Sequence, residues 1–275
     1  MILQKVTITG ADDYTDLVKL KNLTLEFPFV EWGLLLSKDK VKNKRYPSNE
    51  FLLEITDMLS ADDSFVDIPT NRYSLHLCGS IAREVLTGMT PVSFHSVYSE
   101  RILLFCDRVQ LNFTKKYIKD WNPKEVKVGL SKLFESRFER VSYNFPVGII
   151  TQIKNDHEDL WAEFLEAEIS PITTPFIHHL LFDQSGGHGV LAKKWKSPIS
   201  GFFCGYAGGL KPENIVEELN KIEEVVGNGV CFIDLETGVR NQNDDFDLDK
   251  VREILEACEP YTKFKRKTFK TKNIF

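Results

Sequence analysis

Apolar and polar positions alternate along this chain with two different periods, and the two take turns from one end to the other. Runs with a two-residue period or unbroken apolar character predict strands at Lys5–Thr9, Val30–Leu36, Tyr73–Cys78, Val109–Phe113, Val147–Ile153, Ile177–Phe182, Gly201–Gly205 and Val230–Leu235. Between them, apolar residues recur at helical spacing. These faces are Leu17, Leu20, Leu23 and Phe27; Phe51, Ile55 and Leu59; Val128, Leu130, Leu133 and Phe134; Leu160, Phe164 and Leu165; Ile215, Leu219, Ile222 and Val226; and Val251, Leu255 and Cys258. Ser48 and Asp247 stand where N-caps belong, and Lys211-Pro212-Glu213 puts a proline and an acid into a first turn. Strands alternating with helices call for a parallel sheet. Eight strands, each followed by a segment long enough for a crossover, predict an α/β protein that closes as a single-domain (β/α)8 TIM barrel over residues 1–261. An open doubly wound sheet is the alternative. Residues Met89–Asp107 fit the pattern least, and an inserted strand there would change the count.

Composition narrows the picture. A chain of 275 residues with 42% hydrophobic content needs no disulfide or metal staple, since folding at that length buries roughly 70–75% of the unfolded surface. A net charge of −5 lacks the basic field of a protein dedicated to nucleic acid. Cys78, Cys106, Cys204, Cys231 and Cys258 form no CxxC pair, which favours reduced thiols in a cytoplasmic protein. The opening residues read as a strand rather than a signal peptide, and no run approaches the ~18 apolar residues of a membrane helix. A monomer or homodimer binding a small molecule, with no cofactor, metal, membrane or nucleic-acid partner, is therefore expected. From Thr262 to Phe275 six basic residues occur without an acid. They read as a solvated tail docked by Phe264 and Phe269, or as an anion-attracting arm.

In such barrels the chemistry sits in the loops after the strands. At Leu180 to Gly189 a carboxylate, Asp183, ends an apolar strand, and a loop containing Gly186 and Gly187 follows. A strand-end carboxyl is a candidate general acid, and glycines let backbone N–H groups approach an anion. Gly208-Gly209, ahead of a helix, suits phosphate, and Thr237 and Gly238 extend that cup after the eighth strand. Glu236 opposes an anion there if it points inward, with Arg240 either compensating or lying on the surface. Arg45 in the second loop can grip an anion with two parallel hydrogen bonds. His76, on one strand face with Cys78, is a candidate proton-transfer group or a buried structural histidine. Lys154 could bind substrate or form a Schiff base.

In order, these segments resemble phosphoribosylanthranilate isomerase. The resemblance runs through Val6–Gly10, Lys44-Arg45-Tyr46, Val109-Gln110-Leu111, Leu181-Phe182-Asp183, Gly208-Gly209-Leu210-Lys211-Pro212-Glu213-Asn214 and Ile233-Asp234-Leu235 to Gly238-Val239. It implies a phosphorylated, sugar-type ligand and an Amadori-type isomerisation, with Asp183 at the position of the family's acid. The family's base, a cysteine ending strand one, is Thr9 here. Its strand-four histidine is Asn112, the lysine after its glycine loop is Val190, and the first serine of its eighth loop is Glu236. The resemblance therefore implies the family's fold and ligand class with an altered reaction. A phosphosugar-binding barrel without catalysis is one alternative. The other is an aldolase or epimerase relative using Lys154 or His76, since the His76 strand also looks like that of ribulose-phosphate epimerases, where the histidine binds metal.

Overall fold

The computed structural model describes residues 1–40, 43–60, 72–89, 102–103, 106–112, 122–135, 146–153, 176–183 and 189–266. Eight parallel strands close on themselves in chain order. They are β1 (Ile2–Thr9), β2 (Val30–Leu36), β3 (Tyr73–Cys78), β4 (Arg108–Asn112), β5 (Val147–Ile153), β6 (Phe176–Asp183), β7 (Phe203–Ala207) and β8 (Val230–Leu235). Helices α1 (Leu17–Glu26), α2 (Asn49–Ser60), α3 (Gly79–Leu86), α4 (Pro123–Leu133), α5 (Ile215–Val226) and α6 (Leu248–Cys258) connect them. The open-sheet alternative is thereby excluded: β1 pairs with both β2 and β8. β3 pairs directly with β4, so no strand separates them in the barrel; residues 90–101 and 104–105 lie outside the described residues.

Most differences from the expected elements have local causes. β7 begins two residues later than its apolar run because Gly201 turns the chain at φ +90°. Val128 is exposed, while Val126, Gly129, Leu130 and Leu133 form the buried face of α4. Gly129 lets that helix approach α3, since a Cβ there would stand 2.0 Å from the Val85 carbonyl oxygen. Pro212 and Glu213 lie in a turn just ahead of α5, whose N-cap is Asn214. Asp247 caps α6, accepting from the amides of Asp249 and Lys250, and the Ser48 hydroxyl accepts from Phe51 N–H at the start of α2. In the tail Phe264 is exposed, and the docking residue is Arg266, which pairs with Glu26 and Glu256 over the Phe27 ring. Leu160, Phe164, Leu165, Phe269 and Phe113 fall outside the described residues.

The two faces of the strands build two cores. Outward residues such as Val6, Trp32, Leu75, Val109, Ile149, Leu180 and Ile233 pack under the helices. Inside, Ile150, Leu181, Ala207 and Phe232 form a smaller apolar cluster with Phe203 against it. Gly205 makes space for the Phe232 ring, which a Cβ would meet at 2.3 Å. The N-terminal half of the interior is charged. Arg108 and Glu31, each with a side chain only 1% exposed, form an ion pair. Thr7 donates to Glu31 at 2.9 Å, Lys5 donates to it at 3.0 Å, and the Arg108 guanidinium lies 4.2 Å from the Phe232 ring centroid. Burial by itself would raise the Glu31 pKa, but Arg108 and Lys5 outweigh it and hold the carboxyl well below 4.5. This charged layer lies toward the N-terminal end of the barrel interior, away from the mouth at the strand C-termini.

Because the folded-state pKa of Glu31 is depressed, its pairing contributes stability that is present above about pH 4.5 and is lost as pH falls below it. Arg108→Met strands Glu31 in the core and is expected to cost about 3–5 kcal/mol of unfolding free energy at neutral pH. Denaturant titration checks this; a loss within error of zero would remove the floor from the account.

Candidate active site

The alternation along each strand fixes which groups reach the mouth. On β6, Leu181 faces the interior, so Asp183 two residues later does too. On β8, Phe232 faces the interior, and Asp234 follows by the same step. In register, Asp183 stands beside Ala207 and Ala207 beside Asp234. Two carboxyl groups therefore flank one alanine, whose small side chain leaves the space between them open.

Asp183 is buried. Asp234 is half-buried. This burial pushes the Asp234 pKa up to about 7 from 3.8; a hydrogen bond from Thr9 opposes the rise, and the negative charge of Asp183 adds to it. The Thr9 hydroxyl donates to Asp234 Oδ1 at 2.7 Å. Gly33 permits that placement, because a Cβ there would lie 2.1 Å from Thr9 Oγ1 and 3.0 Å from the His76 ring. Thr9 is thus a donor to an acid rather than a base itself. Asp234 was not singled out by the sequence, although its position two residues beyond Phe232 in an apolar strand is the signal that marks it.

His76 lies under this pair. It is 1% exposed, shares a 3.1 Å hydrogen bond with the Ser74 hydroxyl, and burial lowers its pKa to about 4. It is neutral at physiological pH. The opposite wall carries amide and thiol groups. Gln110 Nε2 donates to Asn112 Oδ1 at 2.9 Å, and Asn112 Nδ2 donates to Cys78 Sγ at 3.3 Å. Burial raises the Cys78 pKa, with hydrogen bonds from Asn112 and Tyr46 acting against that rise. All five cysteines are free and buried.

Around β8 the rim is stapled by two arginines. Arg45 does reach it, but its guanidinium is engaged. Nε and Nη2 contact the Asp244 carboxylate at 2.7–3.1 Å, and Nη1 donates to Glu236 Oε1 at 2.9 Å and Thr237 Oγ1 at 3.4 Å. Arg240, expected either to compensate Glu236 or to lie on the surface, is buried and does neither. It binds the Gly10 carbonyl, the Asp12 carboxylate and the Asp244 carbonyl. Asp244 serves both arginines at once from a left-handed backbone, φ 58°. Next to this staple, three glycines bring the loops after β6, β7 and β8 together. A Cβ on Gly189 would meet Thr237 at 3.1 Å, one on Gly209 the Leu191 amide nitrogen at 2.4 Å, and one on Gly238 the Leu210 carbonyl oxygen at 1.9 Å. Gly208 and Gly209 both have positive φ, at 110° and 66°. Gly186, Gly187 and Lys154 lie outside the described residues. Among the described residues no three His, Cys, Asp or Glu side chains converge as a metal site, and no helix is long and apolar enough to cross a membrane.

No protein-family model matches the chain, and no curated protein matches its sequence. Among solved structures, one match is the crystal structure of phosphoribosyl anthranilate isomerase from Thermus thermophilus. It is 17% identical, covers 92% of this chain and 97% of that one, and superposes with a TM-score of 0.49.

The raised pKa of Asp234 has a signed consequence. The folded protein holds a proton that the unfolded chain releases between about pH 4 and pH 7, so this group's contribution falls as pH rises through that window. Relative to the parent, Asp234→Asn is expected to gain stability from pH 4 upward and to level off above about pH 7. Thermal melts across that range test this, and a pH-independent difference would contradict it.

Proposed function

We propose that the barrel mouth is the active site of an isomerase-type enzyme that moves a proton on a phosphorylated, sugar-type small molecule. The observation that carries this reading is Asp234, a carboxyl with a pKa of about 7 facing Asp183 across Ala207. Proton transfer near neutral pH needs a group that can both hold and release its proton there. A carboxyl that keeps its proton to about pH 7 beside a second carboxyl group supplies such a donor and acceptor. Asp234, which holds its proton to about pH 7 and is oriented by Thr9, takes the role of acid, and Asp183, whose negative charge adds to that rise, takes the role of base, the reverse of what its position in the resemblance implies. The buried surroundings strengthen charge interactions with a bound ligand. The ligand's phosphate lies against the turns at Gly189, Gly208-Gly209 and Thr237-Gly238, whose glycines let the loops after β6, β7 and β8 pack on one another just ahead of α5.

A second reading, a phosphosugar-binding barrel without turnover, is favoured by the engagement of the Arg45 donors with Asp244 and Glu236. A thermal-shift screen of phosphorylated sugars, followed by turnover assays on the ligands that stabilise the fold, separates the two. On a turned-over substrate, Asp234→Asn and Asp183→Asn are each expected to lower kcat by roughly 10²–10⁴. Ligand affinity should change far less. The pH–rate profile of the parent should show a limb near pH 7 that Asp234→Asn abolishes. Ligand binding with no turnover, or turnover untouched by both changes, rules out the dyad as catalyst.

A further inference from the structure

Arg45 and Glu236 come from loops on opposite sides of β1, and their contact is a property of the mouth rather than of the outer surface. Glu236 acts electrostatically on His76, Cys78 and Tyr46, all on the β2–β3 side of the opening. Its carboxylate, half-buried at the head of β8, takes the one nitrogen of Arg45 that Asp244 leaves unused. That nitrogen also points toward Thr237 Oγ1 at 3.4 Å, and Thr237 is the residue packed on Gly189. The guanidinium edge nearest the glycine turns is therefore already bound to a negative group of the protein.

We propose that Glu236 is a specificity-determining residue: it acts as an internal anion on Arg45, so that a ligand's phosphate is held by the glycine turns alone and must compete with a fixed carboxylate beside them. The inference rests on the reading that a phosphate occupies those turns. Two like charges sharing one guanidinium edge repel, and a carboxylate pushed off its partner loses a charge-assisted bond. The parent protein accordingly binds anions weakly, and hydroxyl groups provide the ligand's remaining contacts. Arg45 keeps its Asp244 contacts when Glu236 is changed, so the rim stays stapled.

Isothermal titration with inorganic phosphate and with ribose 5-phosphate tests this on the whole chain. Glu236→Gln is expected to tighten both by at least about tenfold, a difference of about 1.4 kcal/mol. Adding Arg45→Met to that variant should return both affinities to the parental level. The Arg45 Nε–H resonance should move on phosphate addition only when Glu236 is replaced. Equal affinity of parent and Glu236→Gln overturns the inference while leaving a phosphate at the turns in place. Absence of binding to either protein overturns it together with the phosphate reading.

Discussion

Two carboxyl groups set across one alanine inside a closed barrel cannot both keep their charge as easily as they would in water. Burial withdraws the solvent that would stabilise the second charge, and the first charge repels it. Asp234 answers by keeping its proton to about pH 7, and the Thr9 hydroxyl limits how far that rise goes. Strand order and register produce this arrangement: in a parallel barrel closed in chain order, β6 and β8 are separated only by β7.

The remaining charges of the interior and rim serve structure. At the floor, Arg108 and Lys5 both pair with Glu31, where an unpaired charge would be ruinous. At the rim, Arg45 and Arg240 tie the loops after β1, β2 and β8 to Asp12, Asp244 and Glu236. Between these two ion-paired layers lie Asp234 and Asp183, next to His76 held neutral and a wall of Gln110, Asn112 and Cys78. The mouth thus combines the titrating Asp234 carboxyl and its neighbour Asp183 with polar walls, surroundings suited to proton transfer on a hydroxylated ligand.

Much of the fold was legible because the apolar periods are local. Seven strand runs overlap the observed strands closely, and the caps at Ser48 and Asp247 follow from residues within one turn. β7 was placed two residues early because glycine in an apolar run gives no sign of whether it bends or extends. Asp183 was legible because an apolar strand ended in a carboxylate followed by glycines. Asp234 does not stand out in the sequence because it sits inside an apolar run with no glycine directly behind it. The Thr9 hydroxyl that binds it comes from 225 residues away in sequence. The partners of Arg45 and Arg240 were equally hidden, lying 199 and 228 residues distant, and only closure of the barrel brings them together. A sequence marks groups able to react and is silent on which are already engaged.

The most direct measurement is a ¹³C NMR titration of the aspartate carboxyl carbons in the parent, Thr9→Val and Asp183→Asn. The account predicts an Asp234 midpoint near 7 in the parent. That midpoint should rise when the Thr9 hydroxyl is removed and fall when the Asp183 charge is removed. A midpoint near 3.8, unmoved by either substitution, would contradict it.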